Sequence, residues 1–293
     1  PRSSSSAASD VYKRQLTGYG EKGPDSHRTA FDTMAWWARS GLMDIVRPSE
    51  NSPPANPPIG MGDQPTGVAL FASIMTALYR REKTGKGGEV HTSLMANGAW
   101  SNGSFIQAGL FGAQFPDRKE PSPLHPFGGR YKTKDNRYLI LAIIDANKEW
   151  PKLLKALDIE YFNEDPRFSS FKKMNENFMI LYEELEKIFI QYSLKEITEK
   201  LRFSEVTFGI LSHSNDHSKD QQFIESEVLV KFDEGSFDED FFTVNSPIFL
   251  ENESKKIPTK APKLGEHTKE ILSSLGQDEE EIAQLKQDGI IDY

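Results

Sequence analysis

The pattern of apolar and polar positions divides the chain into two halves of different texture. The first half opens its regular structure at Leu16–Gly20 (LTGYG), which has the form of a strand leaving into a glycine turn. Ala30–Leu42 (AFDTMAWWARSGL) reads as a helix that stops near Gly41. Residues 47–65 carry six prolines and are expected as an ordered loop. Thr66–Lys83 has the strongest helical pattern in the chain. Val68, Phe71, Ala72, Met75, Leu78 and Tyr79 line one face, and Leu70, Ile74 and Ala77 make the other side apolar as well, so this helix is expected to be largely buried. Its basic end (Arg80, Arg81, Lys83) runs into Gly85, as a helix C-terminus should. Val90–Leu94 alternates like a strand, and residues 95–112 read as a further helix.

Proline-rich Gln114–Pro126 reads as a linker, here taken as 113–127. A hairpin follows: RYKT, a turn at Lys134–Asn136, then RYLILAII. Helical periodicity returns at 148–158 and 172–201. A polar loop over 213–225 leads into a short helix, 241–250 reads as a strand, and 266–275 and 277–288 as two short helices. The expected organisation is a large-domain portion at 16–112, a small domain at 128–240, and a C-terminal segment at 241–293.

Composition narrows the function classes. The 293 residues include 44 acidic against 35 basic side chains, a formal charge of −9, with no basic run, which is a poor footprint for nucleic acid. There is no cysteine, hence no disulfide framework, no cysteine thiolate nucleophile and no cysteine-based metal site. The absence of a secretory signal points the same way, to a cytoplasmic protein. The longest apolar stretches, Gly67–Tyr79 and Tyr138–Ile144, are too short to span a membrane. His213 and His217 have i, i+4 spacing but sit in a polar loop without further ligands, so no metal site is expected. KTGKGGE (83–89) lacks the order of a phosphate-binding loop.

Three places remain where chemistry fits. In GMGDQPTG (60–67), Asp63 precedes the long helix. One reading is a helix cap, with Pro65 tolerated in the first turn. The other is a covalent nucleophile: Gly60, Gly62 and Gly67 leave open space, and the helix dipole favours a negative charge there. In HRTAFD, Asp32 is either a first-turn helix residue or a second functional carboxylate, and Arg28 either a solvated cation or a phosphate contact. Gly128 and Gly129 in HPFGGRY are either a turn before a strand or a flap over a reaction centre. Trp36 and Trp37 read as core packing.

The stretches LTGYGEKGPDSHRTAFDTMAWWARSGLM, GMGDQPTGVALFASIMTALYRREKTGKGGEVHTSLM and APKLGEHTKEILSSLGQDEEEIAQLKQDGII resemble three signatures of the class III coenzyme A transferases, in the same order. This is the formyl-CoA, carnitine-CoA and bile-acid-CoA transferase group. The resemblance implies an α/β fold: a Rossmann-like large domain, incomplete here, plus a smaller α+β domain, with the C-terminus returning to the large domain. It implies interlocked homodimers, acyl-CoA and a carboxylic acid as partners, and coenzyme A as a carried substrate with no further cofactor. It assigns Asp63 as nucleophile and Asp32 as a supporting carboxylate, with Arg28, Phe31, Gly62, Gly128 and Gly129 around substrate and CoA. The glycine pair does not reproduce the family's longer glycine run. The CoA-ester racemases of the family carry a histidine where Phe31 stands, which favours transfer over racemisation. A non-catalytic CoA-ester-binding protein is the third reading. FDTMAWWARSGLM looks closest to members handling 2-hydroxyacyl or aromatic acyl groups.

The beginning of the chain has its own expectation. PRSSSSAAS is low-complexity, and DVYKRQ, written back as codons, resembles a transposon end used in sequencing libraries. Residues 1–15 are accordingly expected as a translated scar or disordered leader, the rest as an N-terminally truncated fragment that is inactive alone.

Overall fold

The computed structural model describes residues 12–115, 125–233, 235–237 and 241–292. It is a mixed α/β chain that divides into two units, one up to residue 124 and one from residue 125. Most of the expected 113–127 linker lies outside the described residues.

In the first unit, β1 (Tyr12–Thr17) pairs in parallel with β2 (Gly88–Ser93), Tyr12 opposite Gly88 and Thr17 opposite Ser93. β1 thus begins four residues before the expected Leu16, within the stretch read as a leader. Ladder pairing is made by the backbone, so an extended segment can fill the place beside β2 whatever its side chains. Between the strands run a π-helical turn at Thr33–Ala38, a short α1 (Leu42–Ile45) and the 22-residue α2 (Asp63–Thr84). α3 (Leu94–Ser101) and α4 (Gly103–Leu110) follow, divided at Asn102 where one helix was expected. Ser93 caps α3 by accepting from the Ala96 N–H at 3.1 Å. The core is small: Tyr19, Ala35, Trp36, Trp37 and Leu94. The two indoles sit edge to face, 5.1 Å apart, in the packing role their sequence suggested.

α2 departs from its expected burial. Only Thr66 and Ala77 are buried, while Val68, Phe71, Met75 and Tyr79 are 46–66% exposed. The helix packs on β1, β2 and α3 through the stripe Thr66–Leu70–Ser73–Ala77. Two apolar faces were legible in the sequence, but the described unit offers a packing surface to one.

The second unit is built around an antiparallel sheet in the order β3 (Arg130–Lys132), β4 (Tyr138–Leu141), β5 (Phe208–Ile210). The expected hairpin is β3–β4, with Asn136 in the left-handed region at φ 61°. α5 (Ala146–Leu157), α6 (Phe171–Glu176), α7 (Phe178–Phe189) and α8 (Leu194–Phe203) pack with it. The single helical stretch expected at 172–201 is therefore three helices. It breaks at Asn177 and at Ser193, whose hydroxyl accepts from the Glu196 N–H while Glu196 bonds back to the Ser193 N–H. Twenty buried apolar residues form one core, among them Tyr131, Leu153, Leu181, Phe189 and Leu201 at 0% exposure. Beyond a polar loop, α9 (Gln221–Glu225) and the pair β6 (Leu229–Lys231) and β7 (Phe242–Val244) precede α10 (Thr268–Ser274) and α11 (Glu279–Gln287). Residues 241–293, expected to return to the large domain, fall within this second unit in the division at 124/125. No helix among the described residues is long and apolar enough to cross a membrane.

Candidate active site

Asp63 is the first residue of α2, and Gly62 is the N-cap. The cap reading of Asp63 is therefore not what the structure displays: among the described residues its carboxylate accepts no backbone N–H, and Gly62 makes no side-chain cap. Asp63 is exposed, without a hydrogen-bond partner among the described residues, at the positive end of a 22-residue helix. An unencumbered carboxylate at that place can attack an electrophilic carbonyl.

Asp32 stands in the opposite condition. It is buried at 5% exposure and caps the π-helical turn. Its Oδ1 accepts from the Thr33 N–H at 2.6 Å and the Thr33 hydroxyl at 3.2 Å, and its Oδ2 accepts from the Gly62 N–H at 3.4 Å. The structure thus brings together Asp32, Gly62 and Asp63, thirty residues apart in sequence. Gly62 is also pressed against the indole of Trp36: a Cβ there would lie 2.6 Å from Trp36 Cγ. Only glycine fits. Trp36 and Thr66, whose hydroxyl donates to the Gly62 carbonyl at 2.7 Å, belong to this site and were not singled out from sequence for it. An aromatic in an amphipathic pattern signals burial, not which residue it touches.

Arg28 and Phe31 flank the same segment. Arg28 donates to Asp25 at 3.1 Å, lies over the Tyr19 ring at 5.4 Å, and stays half-exposed. The hydrogen bond to Asp25 holds its guanidinium above the ordinary arginine range. Asp25 also meets Arg39 at 3.5 Å, so two cations share one carboxylate. Phe31 is 68% exposed. A cavity of about 630 Å³ in this unit is walled by Phe105, Ile106 and Phe115 on one side, with Ser40, Asn102 and the carboxylates Asp44 and Glu50 on its polar side. Ser40 links it to the site, since its hydroxyl donates to the Trp36 carbonyl at 2.5 Å.

Gly128 and Gly129 belong to the second unit. Gly129 is held from both sides: its N–H donates to Pro126 O at 3.2 Å, and its carbonyl accepts from the Leu141 N–H at 3.0 Å. A Cβ on it would lie 2.8 Å from Tyr182 Cε2, whereas nothing stands within 4 Å at Gly128. Gly129 is anchored to the sheet; Gly128 is held in the turn by its N–H, which donates to the His125 carbonyl at 2.8 Å, and only its side-chain position faces open space. His213 donates its backbone N–H to Asp216, and the His217 ring stacks on Phe223 at 4.7 Å. No group of three or more metal-ligating side chains gathers among the described residues.

Comparison with known proteins agrees with the sequence signatures. Residues 11–268 match the family model of CoA-transferase family III. The chain is 34% identical over 281 residues to the (R)-2-hydroxy-4-methylpentanoate CoA-transferase of Clostridioides difficile, covering 95% of this chain and 69% of that protein. It is 28% identical to the cinnamoyl-CoA:phenyllactate CoA-transferase of Clostridium sporogenes, covering 94% of this chain and 67% of that one. Among solved structures, a CAIB/BAIF family protein from Brucella suis superposes with a TM-score of 0.76 at 23% identity, over 91% of this chain and 68% of that one, a likeness of fold. With a family match over most of its length and a relative at 34% identity, the chain belongs to CoA-transferase family III.

Proposed function

We propose that the protein moves coenzyme A from an acyl-CoA thioester to a carboxylic acid, with Asp63 as the covalent carrier. The observation that carries the reading is the contrast at α2: Asp63 is exposed and unpartnered directly after a glycine that buried groups hold in place. An Asp63 oxygen attacks the thioester carbonyl, the C–S bond breaks, and an acyl-aspartyl anhydride and CoA thiolate result. The thiolate attacks the aspartyl carbonyl, releases the first carboxylate and leaves an aspartyl-CoA thioester. The acceptor carboxylate attacks that thioester, giving a second anhydride and thiolate again. Attack of the thiolate on the acceptor's acyl carbon yields the new acyl-CoA and restores the Asp63 carboxylate. The cycle needs no net proton, and water must be kept from both anhydrides.

Phe31 supports transfer over racemisation, because a phenyl ring cannot carry a proton to or from the acyl α-carbon. The relatives acting on 2-hydroxy-4-methylpentanoate and phenyllactate support an apolar 2-hydroxyacyl or aromatic acyl group. The same reading includes a Rossmann-like large domain to which the C-terminus returns, and a cytoplasmic homodimer. The test uses the full-length protein incubated with a panel of acyl-CoA donors, quenched with hydroxylamine and digested. An Asp63 hydroxamate is expected. Turnover without any Asp63 adduct overturns the mechanism, and deuterium entering the acyl α-carbon without an acceptor acid would instead establish racemisation.

A further inference from the structure

Asp32 has been paired with Asp63 as a second functional carboxylate, and its surroundings give it a narrower task. It is buried, and both of its oxygens already face donors: Thr33 on one side, Gly62 on the other. The Gly62 contact, at 3.4 Å, is long for a hydrogen bond and acts as an electrostatic restraint across the two segments. Gly62 is restrained in two further ways. Its carbonyl accepts from the Thr66 hydroxyl at 2.7 Å and the Thr66 N–H at 3.3 Å. Its Cα lies against Trp36 so closely that no side chain could be accommodated. The Trp36 backbone is itself tied down by the Ser40 hydroxyl.

We infer that Asp32 is a positioning residue that, with Trp36 and Thr66, clamps Gly62 and so fixes the point from which the Asp63 carboxylate leaves the backbone, exchanging no proton during turnover. This rests on Asp63 as nucleophile. The physical sense is that of a fixed base and a free head. A nucleophile must meet its carbonyl within a few tenths of an ångström of the productive position, and a misplacement of about 1 Å costs roughly a hundredfold in rate. Helix N-termini fray, and Gly62 alone would add backbone freedom. Three contacts on one glycine remove that freedom while leaving Asp63 untouched.

The experiment compares Asp32→Asn, Gly62→Ala and Thr66→Val with wild type in the full-length protein. kcat, KM and the pH profile of kcat are measured, the Asp63 adduct is trapped with hydroxylamine, and folding is followed by circular dichroism. Asp32→Asn keeps the shape of the side chain but turns an N–H toward one of its two donors. The expected result is a fall in kcat of about 10- to 100-fold for Asp32→Asn and Gly62→Ala, and about threefold to tenfold for Thr66→Val. KM should change less than about threefold, the pH profile should keep its shape, and the adduct should still form on Asp63, more slowly. Loss of one limb of the pH profile in Asp32→Asn, with the limb intact in Gly62→Ala, would make Asp32 an acid or base and overturn the inference. Wild-type kcat in folded Asp32→Asn or Thr66→Val would also overturn it. If Asp32→Asn does not fold, Thr66→Val decides, since it removes one hydrogen bond at nearly constant shape. Failure of the underlying reading is distinct: wild type itself would then yield no Asp63 adduct.

Discussion

The two units solve different problems. The second holds twenty buried apolar residues in one core, with Tyr131, Phe189 and Tyr182 stacked at centroid separations of 4.4 and 5.2 Å. Among the described residues the first has a core of five, and several of its glycines are pressed against neighbours, Gly18 against Ala30, Gly98 against the Trp36 carbonyl and Gly62 against the Trp36 ring. Stability by volume and stability by close approach fail differently. A large core loses stability when a contact is removed, whereas loosening a glycine clamp shows first in the position of the residue it holds. The candidate chemistry lies in the unit with the smaller core. There a buried carboxylate, an indole and a hydroxyl converge on one backbone residue, and the exposed Asp63 contributes nothing to packing.

The largest effect is expected from Asp63→Ala. Activity should fall by at least about a thousandfold, while unfolding free energy stays within about 0.5 kcal/mol of wild type. Transferase rates and denaturant titration on the same sample check it, and a large stability loss would show that Asp63 is structural. Next is Phe189→Ala. Truncating a fully buried ring stacked on Tyr131 should cost about 3–5 kcal/mol, visible as lost hydrogen-exchange protection in α7, α8 and β3–β5. Protection unchanged in those elements would mean that the core is not centred there.

Tyr131 gives a smaller and pH-dependent effect. Burial pushes its phenol well above the ordinary tyrosine value, and its hydroxyl donates to Pro126 O at 2.7 Å. A raised native value means that the neutral form is bound more tightly in the folded state. The stabilisation is therefore complete below the unfolded tyrosine value of about 10 and drains away as pH rises above it. Tyr131→Phe should cost about 1 kcal/mol at neutral pH through the lost hydrogen bond, and flatten the loss of stability above about pH 10. Urea titrations at pH 7 and pH 11 test this, and an unchanged alkaline slope would sink it. The smallest effect is expected at Phe71→Ser on α2. If the outward face meets only solvent, stability changes by no more than about 0.5 kcal/mol. A loss of 2 kcal/mol or more in the full-length protein would show that this face is covered.

Much of the second unit was legible. The hairpin follows from alternating apolar residues around Lys134–Asn136, and α10 and α11 lie within a residue or two of their expected bounds. The missed breaks at Asn177 and Ser193 have a local cause: both residues satisfy backbone groups in a turn as readily as they sit in a helix, and periodicity alone does not see it. In the first unit the long helix and β2 were legible, but not the break at Asn102, the π-helical turn at Thr33–Ala38, or the buried face of α2. The apolar pattern of α2 ran around the whole helix, so burial depended on what lay beside it.

The residues at the candidate site divide along the same line. Readable from the residues alone are the place of Asp63 at the head of a long helix behind a glycine, the place of Asp32 at the start of a helical turn, and, through three ordered signatures, the family. Those are local facts of composition, spacing and order. Tertiary packing alone sets the meeting of Asp32 and Trp36 at Gly62, the crowding of Gly129 beside free space at Gly128, and the side of α2 that is buried. Each of these depends on segments distant in the sequence coming within contact distance, or on which surfaces are available to pack, and a one-dimensional pattern records neither.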